Sequence, residues 1–391
     1  MKDIVIVDAV RTPVGRFRGS LAGVRADHLG SLVIGKLLER VDLSPSQVDD
    51  VIFGCVTQIG EQSANIARTA LLGAGWPVTI PGLTLDRKCG SGEAAVHAAA
   101  GAIASGMADV IVAGGAENMS RVPMGSNREI HGEAFGWMAA ERYELTSQGE
   151  ASERMADKWS LSREALDDYA FESHQRAAKA ADAGYFDSQI VPVPVELLRE
   201  HSLTEPVADL VADETIRRDT SREKLSTLKT SFRPENGRVT AGNSSQISDG
   251  AAALLLMSAD TAKQLGLKAR ARIRAFATVG ADPTLMLTGP IEATKKVLDK
   301  AGLSIGDIDL FEVNEAFASV PLAWMQETSV SHDKLNVNGG AIALGHPLGA
   351  SGARLMTTLL NELERRGARY GLQAICCAGG LGTATIIERL D

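Results

Sequence analysis

Hydrophobic and polar positions alternate along the chain in blocks that predict helices and strands in turn. Residues 31–40 place leucines and an isoleucine at helical spacing, and residues 294–300 repeat that spacing. Short apolar runs such as Val51-Ile52-Phe53 lie between the helical blocks and are typical of buried strands. Because helices and short strands alternate, the pattern predicts an α/β fold built in layers.

The most apolar helical block, residues 90–106, is rich in alanine and carries almost no charge. A helix that is apolar on every side is normally buried in the interior instead of lying along the surface. We therefore expect this helix at the centre of the molecule.

The pattern of the first part of the chain returns near its end. Residues 36–44 are echoed by residues 296–304, and each copy continues into an acidic turn and an apolar strand. Further on, residues 109–115 have a counterpart in residues 373–380. The copies keep the same order, so the sequence predicts that one α/β unit has been duplicated.

A polar segment, residues 120–238, separates the two copies. It contains a charged amphipathic block with a helix start at Ser162, followed by a stretch rich in Lys, Arg, Asp and Glu. Insertions of this size in compact proteins are often binding loops, so we expect it to fold over the face of the first copy; a disordered linker is the alternative. The predicted division is 1–119 for the first part of the N-terminal half, 120–238 for the insertion, 239–267 for the rest of that half and 268–391 for the C-terminal half.

Composition and charge narrow the classes of protein. The 391 residues are long enough for two domains, and the core must be built from small and aliphatic residues because aromatics make up only 4%. The net charge of -9 argues against nucleic-acid binding, which needs a basic surface. It leaves room for an anionic co-substrate, since a local cluster of Lys and Arg outweighs distant charge.

The first residues of the chain and the spacing of its cysteines predict a cytoplasmic protein with reduced thiols. A strand-like run begins at Asp3, which leaves no room for a signal peptide, and no apolar run approaches the ~20 residues of a membrane span. The four cysteines are one adjacent pair and two distant singles. That spacing fits neither a disulfide framework nor a zinc site, so we expect no bound metal.

Cys89 is the first candidate for chemistry, because it directly precedes the alanine-rich helix. A thiol at a helix N-terminus feels the helix dipole and free N–H groups, which lower its pKa and favour the thiolate. The glycines beside it let a ligand approach the backbone closely. A small core residue is the alternative, and the local sequence alone leaves both open.

Three further segments carry polar groups in unusual surroundings. His346 is enclosed by glycines, yet the Lys-Ser or Lys-Thr of a phosphate-binding loop is missing. Cys377 precedes Gly379 and Gly380 too near the chain end for a dinucleotide-binding unit to follow. Asn314 follows a predicted strand, where α/β proteins place their ligands. Each segment in isolation is also typical of a structural residue or a charged turn.

Taken together, and in this order across nearly the whole chain, these segments closely resemble the thiolase family. The resemblance rests on Arg11-Thr12-Pro13-Val14-Gly15, Cys89-Gly90-Ser91-Gly92, Gly114-Gly115-Ala116-Glu117-Asn118-Met119-Ser120, Ala241-Gly242-Asn243-Ser244-Ser245, Asn314-Glu315-Ala316-Phe317, Asn338-Gly339-Gly340, Gly345-His346-Pro347 and Cys377-Ala378-Gly379-Gly380. It implies the thiolase fold, in which two duplicated, five-stranded α/β layers sandwich buried helices in the order αβαβα, with the insertion as a coenzyme A-binding loop domain. It also implies a homodimer or homotetramer.

The activity that the resemblance implies is acyl transfer between a 3-ketoacyl-CoA and coenzyme A, with coenzyme A as co-substrate and no permanently bound cofactor. Cys89 matches the nucleophile that takes the acyl group, and His346 matches the base that activates Cys89 and later the coenzyme A thiol. Cys377 matches the acid–base at the α-carbon, and Asn314 matches the residue that holds a water which, with His346, stabilises the enolate oxygen. The N–H groups of Cys89 and Gly379 would form the second oxyanion hole. Retro-Claisen cleavage needs these groups: a nucleophile, a proton donor for the carbanion and donors for two oxyanions.

The resemblance also suggests two contacts to coenzyme A. Ser245 matches a serine that contacts the pantetheine arm, and Arg217 matches a basic residue near the adenine and phosphate end. Arg218, Arg222 and Lys224 lie close to Arg217 in the sequence.

Three positions depart from the family pattern. Leu381 stands where many relatives carry a third glycine, which would tighten the floor of the pocket. Cys376 precedes Cys377, so an error of one residue in their assignment is conceivable. Ser147-Gln148-Gly149 replaces a His-Met-Gly-like segment of acetoacetyl-specific relatives, which predicts that chains longer than four carbons are accepted.

Two other functions compete with the thiolase interpretation. A ketoacyl-synthase-type condensing enzyme would resemble a Cys-His-His arrangement, whereas this chain offers Cys377 in place of the second His. A non-catalytic acyl-CoA or sterol carrier on the same scaffold would be expected to lack one of the reactive groups. Acyl-chain preference, direction of reaction and pathway stay open at this stage.

Overall fold

The computed structural model describes residues 3–128, 130–132, 134–199 and 206–391. The strands are β1 (Ile4–Arg11), β2 (Gly15–Arg16), β3 (Asp50–Gly54), β4 (Gly82–Leu85), β5 (Val110–Asn118), β6 (Ser248–Ser258), β7 (Ala271–Gly280), β8 (Leu310–Val313), β9 (Tyr370–Cys377) and β10 (Leu381–Arg389). The α-helices are α1 (Ala26–Arg40), α2 (Ile66–Gly73), α3 (Ser91–Ser105), α4 (Trp137–Ala140), α5 (Gln148–Lys158), α6 (Arg163–Asp182), α7 (Val195–Arg199), α8 (Arg222–Ser226), α9 (Ala259–Gln264), α10 (Gly289–Ala301), α11 (Ser319–Thr328), α12 (Ala341–Leu344) and α13 (Leu348–Arg366).

The strands form two half-sheets that meet at a short contact. The first runs in the order β4-β3-β5-β6-β1, with β2 beside β6, and the second in the order β7-β10-β9-β8. β1 and β7 pair only at Val5 with Arg272 and at Ile6 with Ala271. In each half two neighbouring strands are parallel, β3 with β5 and β8 with β9, and the next pairings are antiparallel. The duplicated unit predicted from the sequence is therefore present.

The second half-sheet has four paired strands in the described chain instead of the expected five. Where β4 lies beside β3 in the first half, only Leu335 bridges to Phe311 beside β8. Asn336, which follows Leu335, has a left-handed φ of 45°. Its side chain accepts from Val313 N–H at 2.9 Å and donates to Val313 O at 2.8 Å. An amide side chain thus takes the hydrogen bonds that a fifth strand would make, and the extended chain ends there.

Helices fill the layers on both sides of each half-sheet. α1 and α2 cover the outer face of the first half, and α10 and α11 cover that of the second. α3 and α13 pack on each other between the two halves. The order αβαβα that the family resemblance implied is confirmed, and the alanine-rich stretch forms the buried helix α3, as predicted.

The two long helices of the insertion pack on the second half. α6 begins after Ser162, whose Oγ accepts from Ala165 N–H at 3.1 Å, as the sequence predicted. α5 and α6 pack against α11 and α12, and Met155 belongs to the outer core of the second half. The later part of the insertion follows the first half: the N–H of Val191 donates to Arg11 O at 2.8 Å, Leu198 packs in the outer core of that half, and Asp213 pairs with Arg11 at 2.7 Å. The expectation that the insertion covers the first copy is therefore wrong for α5 and α6, which pack on the second half, and it holds for the described residues between 191 and 214.

Within the described ranges, no helix is both long enough and apolar enough to cross a lipid bilayer.

Candidate active site

The duplicated fold brings four candidate residues to one region from equivalent positions. Cys89 directly precedes the start of α3, and His346 precedes the start of α13. Asn314 follows β8, and Cys377 is the last residue of β9. Because α3 and α13 lie side by side between the half-sheets, their N-termini and the strand ends face the same space.

The turn before Cys89 is strained and held by one side chain. Lys88 has a φ of 51°, a conformation that non-glycine residues rarely adopt. Ser91 Oγ accepts from Arg87 N–H at 2.8 Å and donates to Lys88 O at 2.6 Å. This bracing fixes where the Cys89 side chain leaves the start of α3.

The Cys89 thiol is buried, and burial dominates its acidity. Its side chain packs with Cys377 and Leu348, and only 2% of the residue is exposed. Burial raises the pKa of Cys89 to about 11, although the N–H of Ala378 and its own N–H lower it. The prediction of a lowered pKa is therefore wrong for the free protein, because desolvation outweighs the helix start.

Cys377 and Cys376 face opposite sides of β9. Cys377 belongs to the apolar cluster of Cys89, whereas Cys376 lies in the outer core under α10 and α11. A Cβ added to Gly90 would come within 2.8 Å of Cys377 Sγ, so only glycine fits beside this sulfur. Burial, followed by the charges of Cys89 and Cys376, raises the pKa of Cys377 well above its ordinary value. Leu381, paired with Cys377 across the β9–β10 turn, packs on the same cluster.

The hydrogen bonds of His346 define its tautomer. Ser351 Oγ donates to Pro347 O at 2.9 Å, so it accepts from His346 Nδ1, which lies 2.5 Å away. Nε2 therefore carries the lone pair, and it accepts from Asn314 Nδ2 at 3.3 Å. Burial, and then the charge of Arg354, lowers the pKa of His346 to about 3. His346 is thus a neutral imidazole with its basic nitrogen toward Asn314.

The oxygen atom of the Asn314 side-chain amide has no hydrogen-bond partner among the described atoms. The residue is fully buried. A buried amide oxygen without a partner costs free energy unless a water or a ligand supplies a donor. This agrees with the expectation that Asn314 holds a water.

Two buried carboxylates support the loops around His346, and sequence reasoning left both without a role. Glu117 accepts hydrogen bonds from the N–H groups of Val56, Thr57 and Gly349 and from the side chain of Gln62. Glu315 accepts from the N–H of Ile342 and from the side chains of Tyr169, Ser173 and Asn336. Both glutamates stand inside motifs that carried the family resemblance, and that placement was the available signal.

A cavity of about 690 Å³ opens beside Cys89. Its wall includes Ser147, Gln148 and Gly149 at the start of α5, and the apolar side chains of Phe232, Met286, Phe317 and Leu348. Gly379 lines it with a φ of 88°. No acceptor for the Gly379 N–H is present in the described part of the chain, so this donor is available to a ligand.

The other candidate residues lie outside this cavity wall. His346, Asn314 and Cys377 stand behind Cys89, and no hydrogen bond joins His346 to Cys89 among the described residues. Ser245 is half-buried, and its N–H donates to Ala316 O at 2.9 Å, next to Phe317 in the wall. Arg217 is exposed, and its N–H donates to His174 Nδ1 at 3.1 Å.

Comparison with known proteins agrees with this geometry. The model of the thiolase N-terminal domain matches residues 4–260, and that of the thiolase C-terminal domain matches residues 267–389. A steroid 3-ketoacyl-CoA thiolase of Mycobacterium tuberculosis is 48% identical over 400 residues, covering 100% of this chain and 95% of that protein. A 3-ketoacyl-CoA thiolase of Serratia proteamaculans is 46% identical, with both proteins covered in full. The crystal structure of the Bacillus anthracis acetyl-CoA acetyltransferase superposes with a TM-score of 0.89 at 41% identity, over 100% of this chain and 99% of that one. The chain belongs to the thiolase family.

Proposed function

We propose that this protein transfers an acyl group between a 3-ketoacyl-CoA and coenzyme A through a thioester on Cys89. The observation that carries the proposal is the arrangement of four groups at the meeting point of the two halves. Cys89 lines the cavity, Cys377 packs behind it, and His346 and Asn314 form a buried pair.

In the cleavage direction, Cys89 attacks the 3-keto carbon after losing its proton to Nε2 of His346. The N–H groups of Cys89 and Gly379 stabilise the resulting oxyanion. The bond between the α- and β-carbons then breaks, and Cys377 gives its proton to the α-carbon of the leaving acetyl-CoA enolate. A water on Asn314, together with His346, stabilises the enolate oxygen. After His346 has given up the proton it took from Cys89, it accepts the proton of the coenzyme A thiol, which takes the acyl group, and returns that proton to the Cys89 sulfur.

The acyl group is longer than four carbons in this proposal. The walls of Phe232, Met286 and Phe317 are apolar, and a chain in such a pocket gains roughly 1 kcal/mol of discrimination for each added methylene. Ser147-Gln148-Gly149 lines the cavity where acetoacetyl-specific relatives are expected to close it. One of the two relatives is named a steroid 3-ketoacyl-CoA thiolase, which fits a wall that admits a large acyl group.

Coenzyme A contacts and cellular context complete the proposal. We place the pantetheine arm near Ser245 and the phosphate end near Arg217, as the family resemblance implies. We also propose a cytoplasmic location, which the four free cysteines support, and a homo-oligomer, as the family resemblance implies.

The decisive experiment combines labelling with a substrate panel. Incubation with radiolabelled acetyl-CoA should label one peptide, which contains Cys89, and the label should be absent from Cys89→Ala protein. Steady-state thiolysis of 3-ketoacyl-CoAs of increasing length should favour chains above four carbons. Label that persists in Cys89→Ala, or a preference of tenfold or more for acetoacetyl-CoA, would contradict the corresponding part of the proposal.

A further inference from the structure

A buried polar network stands one helical turn behind the nucleophile. Glu93 is fully buried in the first turn of α3. Its Oε2 accepts from Thr383 Oγ1 at 2.5 Å, and its Oε1 accepts from Thr385 Oγ1 at 2.5 Å. Thr385 Oγ1 also lies 2.8 Å from Nε2 of His97. The catalytic steps described above use none of these residues.

The register of β9 and β10 brings this network to Cys377. Leu381 pairs with Cys377, and Thr383 pairs with Ile375, so Cys377 and Thr383 are diagonal neighbours on one face. A Cβ added to Gly90 would lie 2.8 Å from Cys377 Sγ and 2.9 Å from Thr383 Oγ1. The thiol and the hydroxyl therefore flank the same small gap, and the hydroxyl also holds Glu93.

The groups around Glu93 do not supply a compensating positive charge. His97, whose Nε2 lies 3.8 Å from Glu93 Oε1, has its pKa lowered to about 3 by burial and then by Arg87 and Lys300. It is therefore neutral. β9 presents Gln373 and the Cys377 thiol, β10 presents its two threonines, and α13 presents the backbone at Gly352. The strands on the other side of α3 present apolar residues such as Ile52 and Ala113.

A carboxyl in these surroundings holds its proton unusually well. Burial raises the pKa of Glu93 to about 7, against the hydrogen bonds from Thr383, Thr385 and Gln373. Cys377 and Glu93 disfavour each other's charge, because the carboxylate raises the pKa of the thiol.

We propose that Glu93 is a positioning residue that exchanges a proton with Cys377 through the hydroxyl of Thr383. This rests on the proposed thiolase function. When Cys377 has given its proton to the α-carbon, the O–H bond of the Glu93 carboxyl breaks and its proton passes to Thr383. Thr383 passes its own proton to the sulfur, so an S–H bond forms on Cys377 and a carboxylate remains on Glu93. The cycle closes when the proton that His346 took from Cys89 returns to the Glu93 carboxylate, so no reactant beyond the two substrates is needed, and the same path runs backwards in condensation.

The test separates carbon–carbon bond cleavage from acetyl exchange across pH. Exchange of labelled coenzyme A with acetyl-CoA uses Cys89 and His346, whereas thiolysis of a 3-ketoacyl-CoA also uses Cys377. In the wild type, thiolysis should fall as pH rises through about 7 while exchange does not. Glu93→Gln keeps the size of the side chain but cannot store the proton. Its thiolysis at pH 6.5 should drop about tenfold, exchange should stay within about twofold, and the inflection near neutral pH should vanish.

Two threonine variants form a matched pair that does not depend on how Glu93→Gln folds. Thr383→Val and Thr385→Val each remove one donor to the same carboxyl, but only Thr383 stands beside Cys377. Thr383→Val should lose thiolysis about tenfold, and Thr385→Val should keep it within about twofold. Equal losses in this pair, a parallel loss of exchange, or an unchanged pH profile in Glu93→Gln would overturn the inference. Absence of thiolysis and exchange in the wild type would instead refute the proposed function.

Discussion

In the proposed mechanism, Cys89 and His346 together determine when the nucleophile forms. Burial raises the pKa of the Cys89 thiol to about 11 and lowers that of His346 to about 3, so both groups are neutral at physiological pH. Proton transfer between them must therefore accompany substrate binding, when a carbonyl oxygen reaches the N–H groups of Cys89 and Gly379. The position of Cys89 at a helix start had predicted a thiolate in the free protein. Such a thiolate would be open to oxidation, whereas a buried, protonated thiol is protected from it.

The first prediction concerns the reactivity of the Cys89 thiol in the free protein. Because the thiolate is the nucleophile, the rate of alkylation by iodoacetamide should rise about tenfold for each pH unit between 7 and 9, without a plateau. Mass spectrometry of the peptides identifies the alkylated cysteine, and Cys89→Ala is the control. A plateau below pH 8 would mean that a lowered pKa survives burial.

The second prediction separates Cys377 from Cys376. Cys377→Ala should lose thiolysis and condensation by ~10²–10⁴-fold, because it removes the acid–base at the α-carbon, while exchange of labelled coenzyme A with acetyl-CoA continues. Cys376→Ala is the matched control and should keep both activities, since its side chain lies in the outer core on the other face of β9. If the two variants behave the other way round, the assignment is off by one residue.

At the scale of single elements, a side chain from β5 holds the start of α13 by a hydrogen bond. Gly349 N–H at the start of α13 donates to Glu117 Oε2 at 2.9 Å, and Val56 N–H donates to the same oxygen at 2.8 Å. Glu117, at the end of β5, thus ties the loop that carries His346 to the loop after β3. Burial raises the pKa of Glu117, and its four N–H donors oppose that rise.

The third prediction tests this tie with Glu117→Gln. A glutamine presents an amide N–H₂ to N–H donors, so at least one bond is lost and a buried donor is left unpaired. The free energy of unfolding should fall by about 1–3 kcal/mol, seen as a lower urea midpoint. Acetyl exchange should fall as well, because His346 shifts. Glu39→Gln, which alters an exposed pair with Lys36, should change stability by less than about 1 kcal/mol. An unchanged urea midpoint in Glu117→Gln would show that the hydrogen bonds to Glu117 contribute little to the free energy of unfolding.

Sequence patterns predicted most elements because those elements depend on local periodicity. The buried helix α3 and the start of α6 at Ser162 follow directly from composition and capping. The missing fifth strand could not be predicted, because it depends on the Asn336 side chain reaching Val313 in three dimensions. The raised pKa of Cys89 was missed for the same reason, since burial by Cys377 and Leu348 is a tertiary effect.

At the scale of the whole molecule, the site exists only because two copies of one unit face each other. The first copy supplies Cys89, and the second supplies His346, Asn314 and Cys377. Helix α3 follows Cys89 and helix α13 follows His346, and these two helices form the central layer. Duplication is therefore visible in the sequence as a repeat and in the structure as a candidate active site that both copies share. The division of the chain at residues 119, 238 and 267 stays a prediction.

The last prediction concerns assembly through the edge strand β4. β4 pairs with β3 on one side, and its other side has no partner strand in the described residues. Leu83 in this strand is 47% exposed, and Val78 just before it is 74% exposed. An open edge with apolar side chains favours pairing with another chain, and a lysine on such an edge opposes it. Leu83→Lys should therefore shift the sedimenting species from an oligomer to a single chain at micromolar concentration. Val207→Lys is the control, because Val207 is 89% exposed and lies in the insertion, outside any strand. A monomeric wild type would refute the proposed oligomer, and an unchanged mass in Leu83→Lys would place the interface on another surface.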